Sequence, residues 1–419
     1  MSHTPTLSPA APKPDHVPDA LVYDFDFFAD PVMLQTGHAR ALEVAKNAPP
    51  IFWTPRQGGH WILNGHNAIF EASRDAETFS NAMVSYEQIQ EMQASMPPDA
   101  PKILIPAPIT YDAPHHAVYR SPLQKAFSPK AMAESKDAIR KLAIELIEAI
   151  KDQGHCDFVA DVAEPMPVTF FLKIFGLPPE KYPQYRELVK EHFAENSDKD
   201  PGRTQARLRK VTAVMEDTIR DRKDNPKDDL ISLLWQSTFN GKPATQSDLE
   251  NYAVMLFTAG LDTVVNGMAL GIVHLANDQE LQAELRANPE KIPQATEELL
   301  RRYTFTLPPR FVARDSEFQG VKMKKGEMAL LFLPGGDLDA GEYPQPEKFD
   351  LNREGKAHIA FGAGPHRCLG SHLARIELNI VYEEFLARVP QFRLDTGKPL
   401  EFHGGHVWGP EEVSLVWDK

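Results

Sequence analysis

The sequence predicts a mostly helical fold with small β-sheets, an α+β chain built as one large compact unit. Three observations carry that expectation. Apolar residues recur at helical spacing over long stretches, as in Ile139, Leu142, Ala143, Leu146 and Ile150. The strand-like segments are short and punctuated by glycine. The 419 residues, 42% hydrophobic and 25% charged, can bury a large core, and no internal Gly/Ser-rich or Pro-rich linker divides them.

Taken in order, residues 1 to 20 are rich in Pro, Ser and Ala, hold little to bury, and are expected to form a mobile leader ahead of a single domain from 21 to 419. "PPIFWTPRQGGHWILN" (49 to 64) reads as a hairpin, two short strands around a Gly-Gly turn. From 80 to 113 the chain is irregular, and "SMPPDAPKILIPAPITYDAP" is too rich in proline for a long helix. Long loops of this kind often line a site. An amphipathic helix is predicted over 131 to 153, ending near Gly154. Further helices are predicted at about 181 to 195, 204 to 223, 228 to 239, 246 to 276, 278 to 288, 293 to 303 and 369 to 388, set apart by Pro, Gly or Asp/Asn. Strands are expected at 310 to 315, at 317 to 323 ("EFQGVKM", with a turn glycine), at 328 to 333 and in the terminal "VSLVW".

Composition excludes several classes. With 45 Lys and Arg against 59 Asp and Glu, the net charge of −14 disfavours a nucleic-acid partner. Two cysteines, Cys156 and Cys368, are too few for a disulfide framework, and the first residues lack an apolar signal core, so a reducing cytoplasm fits best. No run reaches the roughly 18 to 20 apolar residues that cross a bilayer, and a soluble protein is expected.

One of the two cysteines sits in "FGAGPHRCLG" (361 to 370), with three glycines, a proline, a histidine and an arginine. A thiolate that ligates a metal needs a backbone that fixes the sulfur and aims amide N–H groups at it. Gly362, Gly364 and Gly370 stand where a tight turn and the close approach of a flat cofactor would require glycine. The helix expected to follow would stabilise a thiolate at Cys368 with its N-terminal end. Zinc is a poor alternative, since no second Cys or His stands at a zinc-site spacing.

The stretch resembles the haem-binding loop of the cytochrome P450 monooxygenases, through Phe361, Gly362, Gly364, His366, Cys368 and Gly370. The resemblance implies that Cys368 is the axial ligand of a haem b iron, where a thiolate favours O–O cleavage. It also implies the family's helix-rich triangular prism, with the haem between a long central helix and the cysteine loop. Three further stretches agree, in the family's order. "EELLRR" (297 to 302) resembles its Glu-x-x-Arg pair, here Glu298 and Arg301, 67 residues before Cys368, which braces the loop without doing chemistry. "AGLDTVVNG" (259 to 267) resembles its acid-alcohol pair. There Thr263 would handle dioxygen and a water, Asp262 would relay protons, and the helix would run past the haem at Ala259. Gly260, Asp262 and Thr263 are all mediocre helix formers, which fits a local opening of that helix. "DAPHHAVYR" (112 to 120) resembles its His-x-x-x-Arg helix, so that His116 and Arg120, with Arg310 and His366, would hold the haem propionates.

"GLDTVVN", "EELLRR", "GVKMKKGE" and "LVWD" look closest to the camphor-hydroxylating branch of soluble bacterial members. That implies a compact monoterpenoid substrate, O2, and electrons from a [2Fe-2S] ferredoxin with its reductase, in a chain that is a monomer by family default. Arg120, Lys125 and Arg367 are candidates for the ferredoxin's docking patch. Alignment on these anchors puts Met255, Thr258, Thr306 and Val407 near the substrate. The tyrosine with which camphor enzymes hold the substrate ketone falls here near Leu104, with Tyr86 or Tyr111 as possible substitutes. Loss of a positioned donor removes selectivity for a carbonyl, so an ether or oxygen-poor terpenoid such as 1,8-cineole is expected over camphor. The alternatives are a peroxide-driven peroxygenase, a non-catalytic haem sensor, and a monooxygenase for a small hydrophobic substrate that is not a terpenoid.

Overall fold

The computed structural model describes residues 6–97, 99–194, 201–355 and 357–419, and the statements below concern these. The helices used in the argument are α1 (Tyr86–Ser95), α2 (His115–Ala126), α3 (Lys136–Glu148), α4 (Pro201–Asp224), α5 (Gln246–Gly260), α6 (Asp262–Asn277), α7 (Ile292–Arg302) and α8 (Ser371–Arg388). The chain divides into two compact units. One comprises residues 1–80, 136–163 and 263–419, and the other residues 81–135 and 164–262.

The first unit carries the sheets. Strands Ile51–Thr54 and His60–Leu63 form the expected hairpin, with Trp53 opposite Trp61. His60–Leu63 then runs parallel to Met328–Leu331, which pairs antiparallel with Pro309–Val312, and Phe79–Ser80 closes the five-stranded sheet. Alternation along these strands sends Trp53, Trp61, Leu63, Val312, Ala329 and Leu331 into one buried cluster on one face. Phe52, Ile62 and Leu330 go into a second cluster on the other, with Leu270 of α6 and Trp408. Burial on both faces is why "MALLFL" reads as an unbroken apolar run. The same unit packs α6 against α8: the Tyr382 hydroxyl donates to the Gly267 carbonyl at 2.9 Å, and a Cβ at Gly271 would lie 1.9 Å from that hydroxyl. Arg140 of α3 bridges Glu383 and Glu384 of α8.

The second unit is helical apart from a small hairpin, Thr238–Phe239 with Lys242–Pro243, turned at Asn240 and Gly241. Leu104, Leu208 and Val254 form a small core within it.

Several expectations change at this level. The leader is tied down from Ser8 onward. Asp26 accepts from both the Ser8 hydroxyl and its N–H, Arg56 donates to the Ser8 carbonyl at 2.6 Å, and Val17 is buried in the core. The irregular 80 to 113 stretch holds a ten-residue helix, α1, started by a capping box between Ser85 and Gln88 and ending before the prolines that begin at Pro97. The single helix expected over 131 to 153 is two, Pro129–Glu134 and α3, and "EFQGVKM" is a hairpin, Ser316–Phe318 with Val321–Met323. The 228 to 239 helix stops at Trp235. The 181 to 195 helix is Tyr182–Ala194, and residue 195 of that expectation lies outside the described residues. One stretch, Gln246–Asn277, is long and apolar enough to cross a membrane, and 56% of its most apolar window is buried within the protein.

Candidate active site

The cysteine loop of the first unit is fixed at both ends. Fully buried Asp337 anchors its entry: one carboxylate oxygen accepts from the Ile359 N–H at 2.8 Å and the other from the Thr304 hydroxyl at 2.6 Å. Burial pushes that carboxyl above its ordinary range, against the lowering effect of His358 and of these hydrogen bonds. Gly362 and Gly364 both take positive φ, +67° and +68°. At Gly364 the requirement is double, since a Cβ would lie 2.2 Å from the Ser73 carbonyl oxygen. Inside the turn the Cys368 N–H donates to the Phe361 carbonyl at 2.8 Å, and Gly370 then leads into α8. Cys368 is exposed. Cys156 lies buried in strand His155–Asp157, where burial, with Asp161 and Asp157 nearby, pushes its thiol far up, so of the two sulfurs only Cys368 suits ligation.

The bracing pair is not an exposed helix salt bridge. The Glu298 and Arg301 side chains are 6% and 3% exposed and meet in a two-point contact, with Nε and Nη2 of Arg301 both 2.8 Å from the carboxylate. Arg301 also donates to the carbonyls of Asp337 at 2.7 Å and Pro346 at 3.0 Å, while Arg353 joins Glu298 at 2.9 Å. A second brace was not anticipated from the sequence. Glu297 accepts from Arg375 at 2.6 and 2.9 Å and sits 3.2 Å from His358, and the Arg375 guanidinium lies 4.6 Å from the Phe361 ring centroid. Burial alone would raise the Glu297 carboxyl, but His358 and Arg375 hold it down at about 2. The signal was available in the doubled Glu of "EELLRR" and in Arg375 of α8, seven residues past Cys368. Only the fold pairs them.

The long helix expected over 246 to 276 is broken. α5 ends at Gly260, Leu261 stays in the right-handed helical region but off ideal values (φ −102°, ψ −64°), and α6 begins at Asp262. Weak helix formers cluster at this spot, and the Thr258 hydroxyl bonds back to the Val254 carbonyl at 2.8 Å, one turn before the break. Asp262 and Thr263 are partly exposed and Gly260 is exposed, in the middle of an otherwise buried apolar stretch. A Cβ at Gly260 would meet nothing within 4 Å, so a flat group can approach this backbone. Also in the first unit, Thr306 and Val407 pair in an isolated antiparallel bridge. Arg310 is buried on Pro309–Val312 and donates to the Pro309 carbonyl at 2.8 Å, and His366 is partly exposed on the cysteine loop.

In the second unit, His116 is buried on α2, one turn before Arg120. Burial and Arg120 lower the imidazole to about 4, against an opposing pull from Asp112. Leu104 and Met255 are buried. Tyr86 and Tyr111 belong to an aromatic cluster. The Tyr86 ring stacks on His115 at 3.9 Å and meets Tyr111 edge-on at 5.2 Å; Tyr111 in turn meets Tyr119 at 5.0 Å. The cluster continues to Phe239, and the Tyr119 hydroxyl donates to Asp248 at 3.2 Å. These rings form packing between α1, α2 and the 238–243 hairpin.

The donor set fits an iron porphyrin. A soft sulfur stands on a rigid, uncluttered turn, the aromatic Phe361 is beside it, and the buried cation Arg310 suits a carboxylate. The cytochrome P450 family model matches residues 189–412. The chain belongs to the cytochrome P450 family. It is 33% identical over 415 residues to probable cytochrome P450 127A1 of Sinorhizobium fredii, 97% of either chain. It is 30% identical to the steroid C26-monooxygenase of Mycobacterium tuberculosis over 84% of this chain and 93% of that one. The crystal structure of CYP101J2 superposes with a TM-score of 0.85 at 31% identity, covering 98% of this chain and 100% of that one. The P450 fold, the haem b cofactor and monooxygenase activity follow from that membership.

Proposed function

We propose that this P450 hydroxylates a compact, oxygen-poor monoterpenoid such as 1,8-cineole, drawing two electrons from a [2Fe-2S] ferredoxin that its reductase reloads, in the cytoplasm and as a monomer. The balance is RH + O2 + 2e⁻ + 2H⁺ → ROH + H2O. The observation that carries the reading is the exposed Cys368 thiol on a turn of two left-handed glycines, braced by the buried Glu298–Arg301 pair.

In this reading Cys368 is the iron ligand, and the iron porphyrin, once bound, supplies oxygen activation and C–H insertion. The chain's own residues bind, orient and move protons. Arg310, Arg120, His366 and His116 would hold the propionates. The Asp262 carboxylate passes protons inward and the Thr263 hydroxyl positions a water, at the place where the helix opens at Leu261. That relay favours oxygen over peroxide as co-substrate. Met255, Thr258, Thr306 and Val407 line the substrate, and Leu104 replaces a tyrosine donor with a hydrocarbon side chain. The engagement of Tyr86 and Tyr111 in the aromatic cluster supports the preference for cineole over the ketone camphor. Arg120, Lys125 and Arg367 serve the ferredoxin.

The similarity to a steroid C26-monooxygenase favours a second reading, a larger polycyclic substrate. An optical titration of the ferric protein with 1,8-cineole, camphor, a steroid and a linear fatty acid decides between them through the low-spin to high-spin Soret shift. The largest shift is expected with cineole. Tight, full conversion by camphor with none by cineole overturns the missing-donor argument, and a steroid-only response selects the second reading.

A further inference from the structure

Within the second unit, Leu104 and Ile105 belong to no strand or helix, yet three of their backbone groups are satisfied by two side-chain amides. Gln205 of α4 accepts from the Leu104 N–H at 3.0 Å and donates to the Leu104 carbonyl at 2.8 Å. A neighbouring strand residue would make the same reciprocal pair of bonds. Asn251 of α5 accepts from the Ile105 N–H at 3.0 Å. Between these clasps the Leu104 side chain is buried against Leu208 and Val254. On each helix the amide and the apolar contact are three residues apart, 205 with 208 and 251 with 254, so one face of each helix grips both the backbone and the side chain of the same dipeptide.

We propose that Gln205 and Asn251 are positioning residues that latch the 104–105 wall and thereby set the rate at which bulky ligands enter. The inference rests on the reading of Leu104 as part of the substrate wall. A wall held in a backbone ladder yields only with a whole strand, whereas this one is released when two amides exchange three hydrogen bonds for water. The clasp also occupies both Leu104 backbone groups and the Ile105 N–H, leaving the dipeptide no donor for a substrate carbonyl.

The test is stopped-flow binding of imidazole and phenylimidazole, two sizes of iron ligand that need no knowledge of the substrate, to the ferric parent, Gln205→Ala, Asn251→Ala and Gln205→Glu. Asn251→Ala, which loses one backbone hydrogen bond, is expected to raise the association and dissociation rates of phenylimidazole about fivefold, Gln205→Ala, which loses two, about thirtyfold, and both to leave imidazole unchanged. Gln205→Glu keeps the acceptor for the Leu104 N–H and loses the donor, so it falls between. Hydrogen exchange at the Leu104 and Ile105 amides is expected to speed up in the alanine variants without ligand. Equal changes for both ligands, or no change in exchange, overturn the latch. Absence of any Soret response in the parent overturns the haem reading instead, and exchange alone then decides the latch.

Discussion

Burial decides what individual charges and thiols are worth in this protein. Arg301 and Glu298 lie out of water with their hydrogen bonds filled, so removing one partner strands the other; breaking such a pair costs about 3 to 5 kcal/mol. Arg301→Lys, which cannot reproduce the two-point contact or reach the Asp337 and Pro346 carbonyls together, is expected to lose about 3 kcal/mol in denaturant melts. Lys324→Ala breaks the exposed pair with Asp315 and is expected to melt with the parent. The two thiols separate in the same way. Cys156→Ser is expected to keep the thiolate-type Soret spectrum and Cys368→Ser to lose it; the opposite result would remove Cys368 as ligand. The sequence made Cys368 and Glu298–Arg301 legible because their neighbours are unusual residue types at fixed spacing. It gave no sign of Asp337, an aspartate in "LPGGDLDA" whose partners Thr304 and Ile359 are 33 and 22 residues away.

At the scale of elements, close approach and helix interruption matter more than propensity. Helices α6 and α8 meet where Gly271 faces Tyr382, and a methyl group there collides with the hydroxyl at 1.9 Å and with the ring carbon behind it at 2.6 Å. Gly271→Ala, which would gain about 1 kcal/mol in an isolated helix, is instead expected to destabilise by about 1 to 3 kcal/mol through overpacking. Tyr382→Phe alone should lose about 1 kcal/mol with its bond to the Gly267 carbonyl. Thermal melts of the double variant should recover part of the Gly271→Ala loss but not all, because the ring still collides. Helical periodicity located the long helices from Tyr182 onward to within a few residues, but assigned nothing to His38–Asn47, His66–Arg74 or Pro165–Phe175. It missed α1, where only Ile89 is buried and no apolar stripe exists to be read, and it ran through Leu261, because apolar residues continue on both sides of the break.

At the scale of the whole molecule, buried titratable groups outside the loop set the pH response. Glu377 of α8 is buried, neither carboxylate oxygen has a hydrogen-bond partner among the described residues, and burial pushes the group up to about 8. The folded state therefore keeps a proton that the unfolded chain releases near its ordinary value of 4.5. Stability from this group is present below that value and is lost as pH rises through 8. His274, held at about 4 by burial and Arg302, and His38, lowered by burial beside the Tyr303 ring, act in the opposite direction. The unfolded chain takes up their protons first, so acidification below 6.5 is destabilising. Glu377→Gln, which copies the protonated acid, is expected to melt with the parent at pH 5 and to exceed it by about 2 kcal/mol or more at pH 9. A parent that is equally stable at both ends, or a variant that gains nothing in alkali, would contradict this.

The sequence by itself determined the family, the ligand loop, the helix-rich class and the order of the motifs. Each of these is a local pattern: glycines around a cysteine, Glu and Arg three apart, weak helix formers beside an acid and an alcohol. Tertiary structure alone decided which contacts those residues make. It turned an ordinary helix pair into a buried brace, drew Tyr86 and Tyr111 into an aromatic cluster, lowered the His116 imidazole, and pinned Leu104 and Ile105 with amides 101 and 146 residues away. The physical reason is that burial and hydrogen-bond partnership belong to residues distant in the chain. Local spacing names the chemistry a group is able to do, and the surrounding fold sets its charge, its reach and its freedom to move.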